Sequence, residues 1–366
     1  MPRRNQLVTL CFFVVCAGAA VLYLTRNGRI EGHSTYNIDQ AEDNIPREKL
    51  MKDSVQRLTQ GTNLDNPSSR KVEADHQLIS ILQQRKARLK EQCALMRETH
   101  QIQDVALHPP EHLIVNEEHR IIYCNVPKVA CTNWKTVFLE LGGFAHLNTS
   151  GKYHLGPNAK GRLYLDYLHQ YNISQRRFML QNYTKFVFVR HPFTRILSAF
   201  RNKLAPNISF FFRHGDEKEQ WVSKYGKQII KRYRGNSEAR RVSSNWKQEY
   251  DLTFSEFIRF LVDADTDSYN RHWSDIYSMC LPCDIDYDII GKYETINEDA
   301  DFVLRLANID PDITFPKPNL SSMTNSSDPT LADKFYRDVP RSLVYKLAML
   351  YAADFNLFGY HVDPYI

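Results

Sequence analysis

No segment of the chain repeats at a fixed period, which excludes solenoid and propeller architectures. No charge of one sign dominates. The 47 Lys and Arg face 42 Asp and Glu, a net of only +5 over 366 residues. That is too little to mark a nucleic-acid binder, although a local basic patch can still act. Cys280-Leu281-Pro282-Cys283 has no second Cys-x-x-Cys and no His-x-x-x-His to complete a zinc site. No carboxylate cluster offers itself to a divalent metal, so no metal is expected. Gly-x-x-x-x-Gly-Lys-Ser/Thr is also missing, which sets aside the nucleoside-triphosphatase form of a phosphate loop and a kinase reading with it. Long apolar runs are absent with one exception, Leu7 to Leu24.

That run carries no charge and is just long enough for a helix to cross a bilayer. We read it as a signal anchor, giving a cytoplasmic tail over 1–6, a transmembrane helix over 7–24 and a luminal remainder. A cleaved signal peptide is the alternative, with Ala17-Gly18-Ala19 as a small-residue cleavage site. Six Asn-x-Ser/Thr sequons follow the run, at Asn148, Asn172, Asn182, Asn207, Asn319 and Asn325, and fit a secretory lumen. Beyond the run the cysteines are Cys93, Cys124, Cys131, Cys280 and Cys283, an odd number. An oxidising lumen permits disulfides among them, and one cysteine could bridge two chains. A structural disulfide involving Cys280 or Cys283 is expected.

Residues 25–111 are polar and poor in aromatics, and read as a stem. Within it Leu78, Leu82, Leu89 and Met96 recur at helical spacing, predicting a helix over 73–100 and a homodimer through it. Residues 112–366 are rich in Phe, Tyr and Trp and can bury one substantial core. In that region a strand–turn–helix pattern occurs twice. Arg120 to Val126 reads as a strand, Pro127-Lys128 breaks it, and Thr132 to Leu141 reads as a helix. Lys185 to Arg190 reads as a strand, Pro192 breaks it, and Phe193 to Leu204 reads as a helix. Two such units predict an α/β fold with a central parallel sheet flanked by helices and ligand at the strand C-termini. Further helices are predicted over 254–263, 270–279, 297–307 and 340–356.

The first turn, Pro127-Lys128-Val129-Ala130-Cys131-Thr132-Asn133, has the logic of an anion loop. A helix N-terminus offers unpaired N–H groups, Lys128 adds a charge and Thr132 a hydroxyl. An ordinary turn with a surface lysine is the plainer alternative. In the second unit, Arg190-His191-Pro192-Phe193-Thr194-Arg195-Ile196-Leu197-Ser198, Arg190 stands at a strand end and can grip a phosphate with two N–H groups. Ser198, further along the same helix, and Arg195 could reach the same group.

Taken together and in this order, Tyr123 to Lys135 and Val189 to Lys203 resemble the two nucleotide-binding segments of the Golgi carbohydrate sulfotransferases. The wording is most similar to the chondroitin/dermatan 4-O-sulfotransferase group. His272-Trp273, Cys280 to Cys283 and Tyr287 to Glu294 add to the resemblance, which spans roughly 112–360. It implies a P-loop-like sulfotransferase fold, and sulfate transfer from 3′-phosphoadenylyl sulfate (PAPS) to a sugar hydroxyl at a Golgi membrane. The implied acceptor is the 4-hydroxyl of N-acetylgalactosamine in chondroitin or dermatan. Glucuronic acid 3-OH, the terminal N-acetylgalactosamine of N-glycans, and a non-catalytic glycan-binding protein of the same fold are the alternatives.

The resemblance assigns Pro127 to Asn133 to the 5′-phosphosulfate and Arg190 to Ser198 to the 3′-phosphate. Lys128 would stabilise charge on the bridging oxygen. His191 stands where that group has Glu, and is not assigned the base. His154 is the first candidate base, because a related 2-O-sulfotransferase carries one in a comparable segment, and His272 is the second. Residues 201–250 hold 12 Lys and Arg against five Asp and Glu. Lys231, Arg232 and Arg234 are the expected contacts for a polyanionic acceptor, the alternative being a solvated helix face.

Overall fold

The computed structural model describes residue 56 and residues 67–96, 101–144, 164–206, 215–263, 270–316 and 324–363. Residues 7–24 lie outside this set. Among the described residues no helix is long and apolar enough to cross a membrane.

In chain order the elements are α1 (Pro67–Leu95), β1 (Leu113–Asn116), β2 (Ile121–Cys124), α2 (Cys131–Leu141), β3 (Asp166–Tyr167), α3 (Ile173–Asn182), β4 (Thr184–Val189) and α4 (Pro192–Lys203). Then come α5 (Gly215–Trp221), α6 (Lys227–Arg234), α7 (Asn236–Ser244), α8 (Trp246–Glu249), α9 (Phe254–Asp263), α10 (Ile276–Cys280) and β5 (Ile289–Lys292). The last are α11 (Ile296–Leu306), α12 (Pro329–Arg337), α13 (Arg341–Leu350) and α14 (Ala352–Phe358).

One five-stranded sheet runs in the order β3-β1-β2-β4-β5. The expectation of a parallel sheet holds for half of it. β2, β4 and β5 are parallel, with Cys124 opposite Val187 and Val189 opposite Lys292. β1 and β3 pair antiparallel at the other edge. The reason is the short connection over 117–120, where Arg120 takes φ 50° and turns β1 straight back into β2. The parallel strands are apolar runs buried along nearly their whole length, as two covered faces require. Gly291 in β5 is needed because a Cβ there would lie 2.4 Å from the Phe188 ring.

Two apolar clusters flank this frame. One joins the sheet to Trp134, Val137 and Phe138 of α2, and to Ala300, Phe302 and Val303 of α11. The other joins Phe193, Ile196, Leu197 and Phe200 of α4 to α6, α9 and the C-terminal helices. The helix expected over 270–279 is confined to α10, because Asn270 to Ser274 form a turn instead. The one expected over 340–356 breaks at Tyr351 into α13 and α14.

The helix expected in the stem does not stand free. Ile79, Leu82 and Leu89 of α1 are buried in the first cluster. Arg85 donates to Asp299 at 2.6 Å, and Asp75 accepts two bonds from Arg305 at 2.8 Å. Cys93 is bonded to Cys283 within the chain, which overturns the idea of a cross-link between chains through the stem. Cys280 is bonded to Cys124. Both cysteines of the Cys-x-x-Cys are thus in structural disulfides, as expected, each with a distant partner.

Candidate functional site

The site forms where β2, β4 and β5 end. Parallel strands deliver their C-terminal loops to one edge of a sheet, and here three loops meet there. The first loop bends through left-handed backbone at Lys128, φ 73°, and Ala130, φ 58°, before α2 begins. Alternating left- and right-handed residues turn successive N–H groups to one side, and the first turn of a helix leaves its N–H groups without helical partners. The loop is thus a candidate anion nest built without glycine. Val129 is buried under it, and Asn133 donates to Pro316 O at 2.6 Å, which fixes the loop to the segment after α11.

The second loop delivers Arg190. Its side chain is buried, with the Tyr293 ring 4.1 Å away. It donates to Lys128 O at 3.1 Å, Ser326 Oγ at 2.8 Å and Ser327 Oγ at 2.7 Å, so it ties the two loops together. Its Nε is buried with no hydrogen-bond partner. Ser198 shares a hydrogen bond of 3.0 Å with Thr324, which shares one of 2.8 Å with Ser326. Arg190 and Ser198 therefore converge on one hydroxyl cluster. Ser326 and Ser327 are legible in the sequence only as part of the Asn325 sequon, and Thr324 not at all.

The rest of the second segment does other work. Pro192 opens α4, and Thr194 donates to His191 O at 3.1 Å. Phe193, Ile196 and Leu197 are fully buried in the apolar cluster, so their expected place against a nucleotide is corrected to core. The His191 ring caps α4 through Phe193 N and lies 2.8 Å from His361 O. Arg195 is also corrected. It is fully buried, and its guanidinium donates to Pro127 O at 3.1 Å, Ser274 O at 2.7 Å and Arg271 O at 3.3 Å. It clamps the first loop to the segment carrying His272, and it is fully buried there.

The electrostatics are dominated by crowded cations. Burial and the nearby Lys203, Arg190 and Arg195 push the Lys128 ammonium down to about 7. Lys203 was inside the second motif but not singled out; it is buried and lies 4.8 Å from the Trp221 ring. His272 is buried beside the same cations. Burial, then Lys203 and Lys128, hold its imidazole well below 6.5, so it is neutral at pH 7. The structure thus brings His272 to the Lys128 loop, whereas His154 lies outside the described residues. Among the described residues no group of three His, Cys, Asp or Glu could hold a metal ion.

The basic cluster is smaller than its count of charges. Arg234 is held by Glu256 at 2.5 and 2.6 Å and by Asp251 at 2.7 Å. Arg241 pairs with Glu238 and Glu249. Arg232 donates to Asp263 O at 2.8 Å, and Lys231 is exposed. Arg234 is therefore a structural fork and not an open acceptor contact. Of the sequons, Asn172 caps α3 and Asn182 donates to Phe178 O, while Asn325 is exposed beside the hydroxyl cluster. Asn148, Asn207 and Asn319 lie outside the described residues.

A family model described as "Sulfotransferase family" matches residues 111–361. Carbohydrate sulfotransferase 11 of Rattus norvegicus is 36% identical over 264 residues, which is 70% of this chain and 69% of that protein. Carbohydrate sulfotransferase 14 of Danio rerio is 39% identical over 251 residues, covering 68% and 62%. Carbohydrate sulfotransferase 12 of Mus musculus is 34% identical over 273 residues, covering 70% and 62%. No solved structure matches the chain. With the loops of Lys128 and Arg190 meeting at the strand ends and a match spanning nearly all of the body that holds them, the chain belongs to the sulfotransferase family and is a sulfotransferase acting on carbohydrate.

Proposed function

We propose that the enzyme transfers the sulfuryl group of PAPS to the 4-hydroxyl of N-acetylgalactosamine in chondroitin or dermatan. We place it in the Golgi membrane as a single-pass type II protein with the body in the lumen. The observation that carries the donor assignment is the cation cluster of Lys128, Arg190 and Lys203, with a depressed Lys128 and an orphaned Arg190 Nε. Such crowding raises the energy of the empty site and is relieved by a polyanion. Arg190 and the Ser198 hydroxyl would hold the 3′-phosphate, and the N–H groups of 129–133 with Lys128 the 5′-phosphosulfate. The donor supplies an activated sulfuryl group. Lys128 then meets the charge that develops on the bridging oxygen, in a site where burial strengthens the interaction. The acceptor assignment rests on the relatives named above and on the exposed basic side chains of α6.

The test is sulfate transfer by the full-length enzyme in detergent, with labelled PAPS and desulfated chondroitin, desulfated dermatan or a glucuronyl-terminated oligosaccharide. Disaccharide analysis locates the label. Label at the 4-position of N-acetylgalactosamine is the expected result. Label only at another position or on another acceptor overturns the acceptor assignment. Transfer that proceeds as fast with Lys128→Ala overturns the role of the loop.

A further inference from the structure

We propose that Asn270, steadied by Tyr225, is the positioning residue that presents His272 as the general base of the transfer. The inference rests on the sulfuryl-transfer reading above. The backbone fixes the amide first. His272 N–H donates to Asn270 Oδ1 at 3.0 Å, so the atom facing it must be the oxygen. Asn270 Nδ2 then faces the other way and donates to the Tyr225 hydroxyl at 3.0 Å. The same Oδ1 lies 2.6 Å from His272 Nδ1. A carbonyl oxygen only accepts, so Nδ1 carries the ring proton and Nε2 keeps the lone pair. One asparagine thus selects the tautomer, a role that a partner on the second ring nitrogen commonly plays for histidine.

The segment around His272 is built to stay still. Arg195 holds the carbonyls of Arg271 and Ser274, and the Tyr351 hydroxyl holds that of Trp273. Asp354 accepts from the N–H groups of Ile276 and Tyr277 at 2.9 Å. The Trp221 ring meets the imidazole edge-on at 5.1 Å. The main charges bearing on the ring are Lys203 and Arg195 of α4, Lys128 of the first loop and Arg271 of its own segment, all cations. A base in that setting is unprotonated before the reaction, and Arg195 ties its segment to the first loop. In the step itself the acceptor oxygen bonds to sulfur, and the bond from sulfur to the phosphate oxygen breaks with its electron pair on that oxygen. The hydroxyl proton passes to His272 Nε2, and Nδ1–H keeps its bond to Asn270.

The experiment uses the full chain and three readouts: the pH profile of transfer, the affinity for adenosine 3′,5′-bisphosphate, and the tautomer from ¹⁵N-histidine NMR. His272→Gln is expected to lower kcat by ~100-fold or more while bisphosphate affinity stays within about threefold. Asn270→Asp puts a carboxylate against Nδ1 and should move the acid limb of kcat/KM upward by about one pH unit or more. Tyr225→Phe frees the amide and should lower kcat by roughly threefold to tenfold with bisphosphate affinity intact. An unmoved acid limb in Asn270→Asp, or His272→Gln at the parent rate, overturns the proposal. So does a resonance showing Nε2 protonated in the free enzyme, and that readout needs no turnover. If the parent enzyme transfers to none of the acceptors, the functional reading fails, and the tautomer still tests the Asn270 assignment.

Discussion

Lys128 gives the sharpest quantitative test. In the free enzyme its ammonium titrates at about 7 against the ordinary 10.5, so near neutrality it is charged only part of the time. A phosphate bound against it favours the charged form and raises that pKa. Binding therefore takes up a proton, and affinity is highest where Lys128 is already protonated. As pH rises through about 7 the free enzyme loses the proton that binding must restore, and Kd climbs until pH reaches the pKa of the complex. If that pKa lies well above about 9, Kd for adenosine 3′,5′-bisphosphate should weaken by about 50-fold between about pH 7 and about pH 9, the slope approaching tenfold per unit at the upper end. Ionisation of the phosphates works in the opposite sense, but their second pKa is about 6, so it is complete over this window. His272 is neutral throughout and adds no slope. The assay is calorimetric titration in two buffers of different ionisation heat, which counts the protons directly. Lys128→Arg stays charged and should bind with a flat profile, while Lys128→Met should bind weakly and also flat. A flat profile in the parent enzyme, with no proton uptake, would refute the reasoning that cation crowding depresses Lys128.

Three further outcomes follow from the packing. Arg195→Met removes three buried bonds to backbone carbonyls and should cost about 3 kcal/mol of stability by urea unfolding, with transfer lost even where the protein folds. Cys93→Ser opens a link across 190 residues, for which chain entropy sets an upper limit of about 5 kcal/mol, and the parent chain should run as a monomer on non-reducing gels. A chain beginning at residue 112 loses α1 as well and should express poorly. Arg234→Ala breaks a fork to Glu256 and Asp251 and should lower stability by about 1–3 kcal/mol with acceptor KM unchanged, whereas Lys231→Ala should raise acceptor KM by roughly twofold to fivefold, less at high salt.

Both strand–turn–helix units are legible because each is a local event. An apolar strand, a proline and a helix start follow one another directly in the chain, and Arg190 and Ser198 lie on one helix approach, so spacing alone brings them together. The segment Thr324 to Ser327, after α11, is not legible in this way. Thr324 to Ser327 reaches Arg190 across 136 and 137 residues, and nothing in its local pattern points to β4. β5 carries only four residues, one of them glycine, and its place beside β4 depends on the fit of Gly291 against Phe188. Charge counting misled for a related reason. The 12 basic residues over 201–250 looked like an open patch, but the carboxylates that occupy Arg234 come from Asp251 and Glu256, just outside the window counted. The spacing of Leu78, Leu82 and Leu89 marks α1 as a helix, but the polar composition around it gives no sign of what the stripe packs against. Its partners come from the far end of the chain: Asp299 is 214 residues from Arg85, and Arg305 is 230 residues from Asp75.

The crowded cations explain why so much of the scaffold is polar linkage and not only apolar packing. Lys128, Arg190, Arg195 and Lys203 repel one another, and holding them together raises the energy of the free fold. Each loop that carries one is accordingly tied down by something other than its own turn. Arg195 spends its donors on the first loop and on the His272 segment. Cys124–Cys280 joins the end of β2 to the end of α10, so the first loop and the segment after His272 share a covalent anchor. Arg85 of α1 donates to the Ile290 carbonyl and to Asp299, which itself receives the Lys292 N–H, so the helix outside the sheet fixes the strand that delivers Tyr293 to Arg190. A site that gains its binding energy by relieving repulsion needs walls that do not relax when the ligand leaves, because a relaxed site would separate its cations and discard that energy beforehand. The disulfides, the Arg195 clamp and the docking of α1 are, on this argument, parts of the donor site although none of them touches the donor.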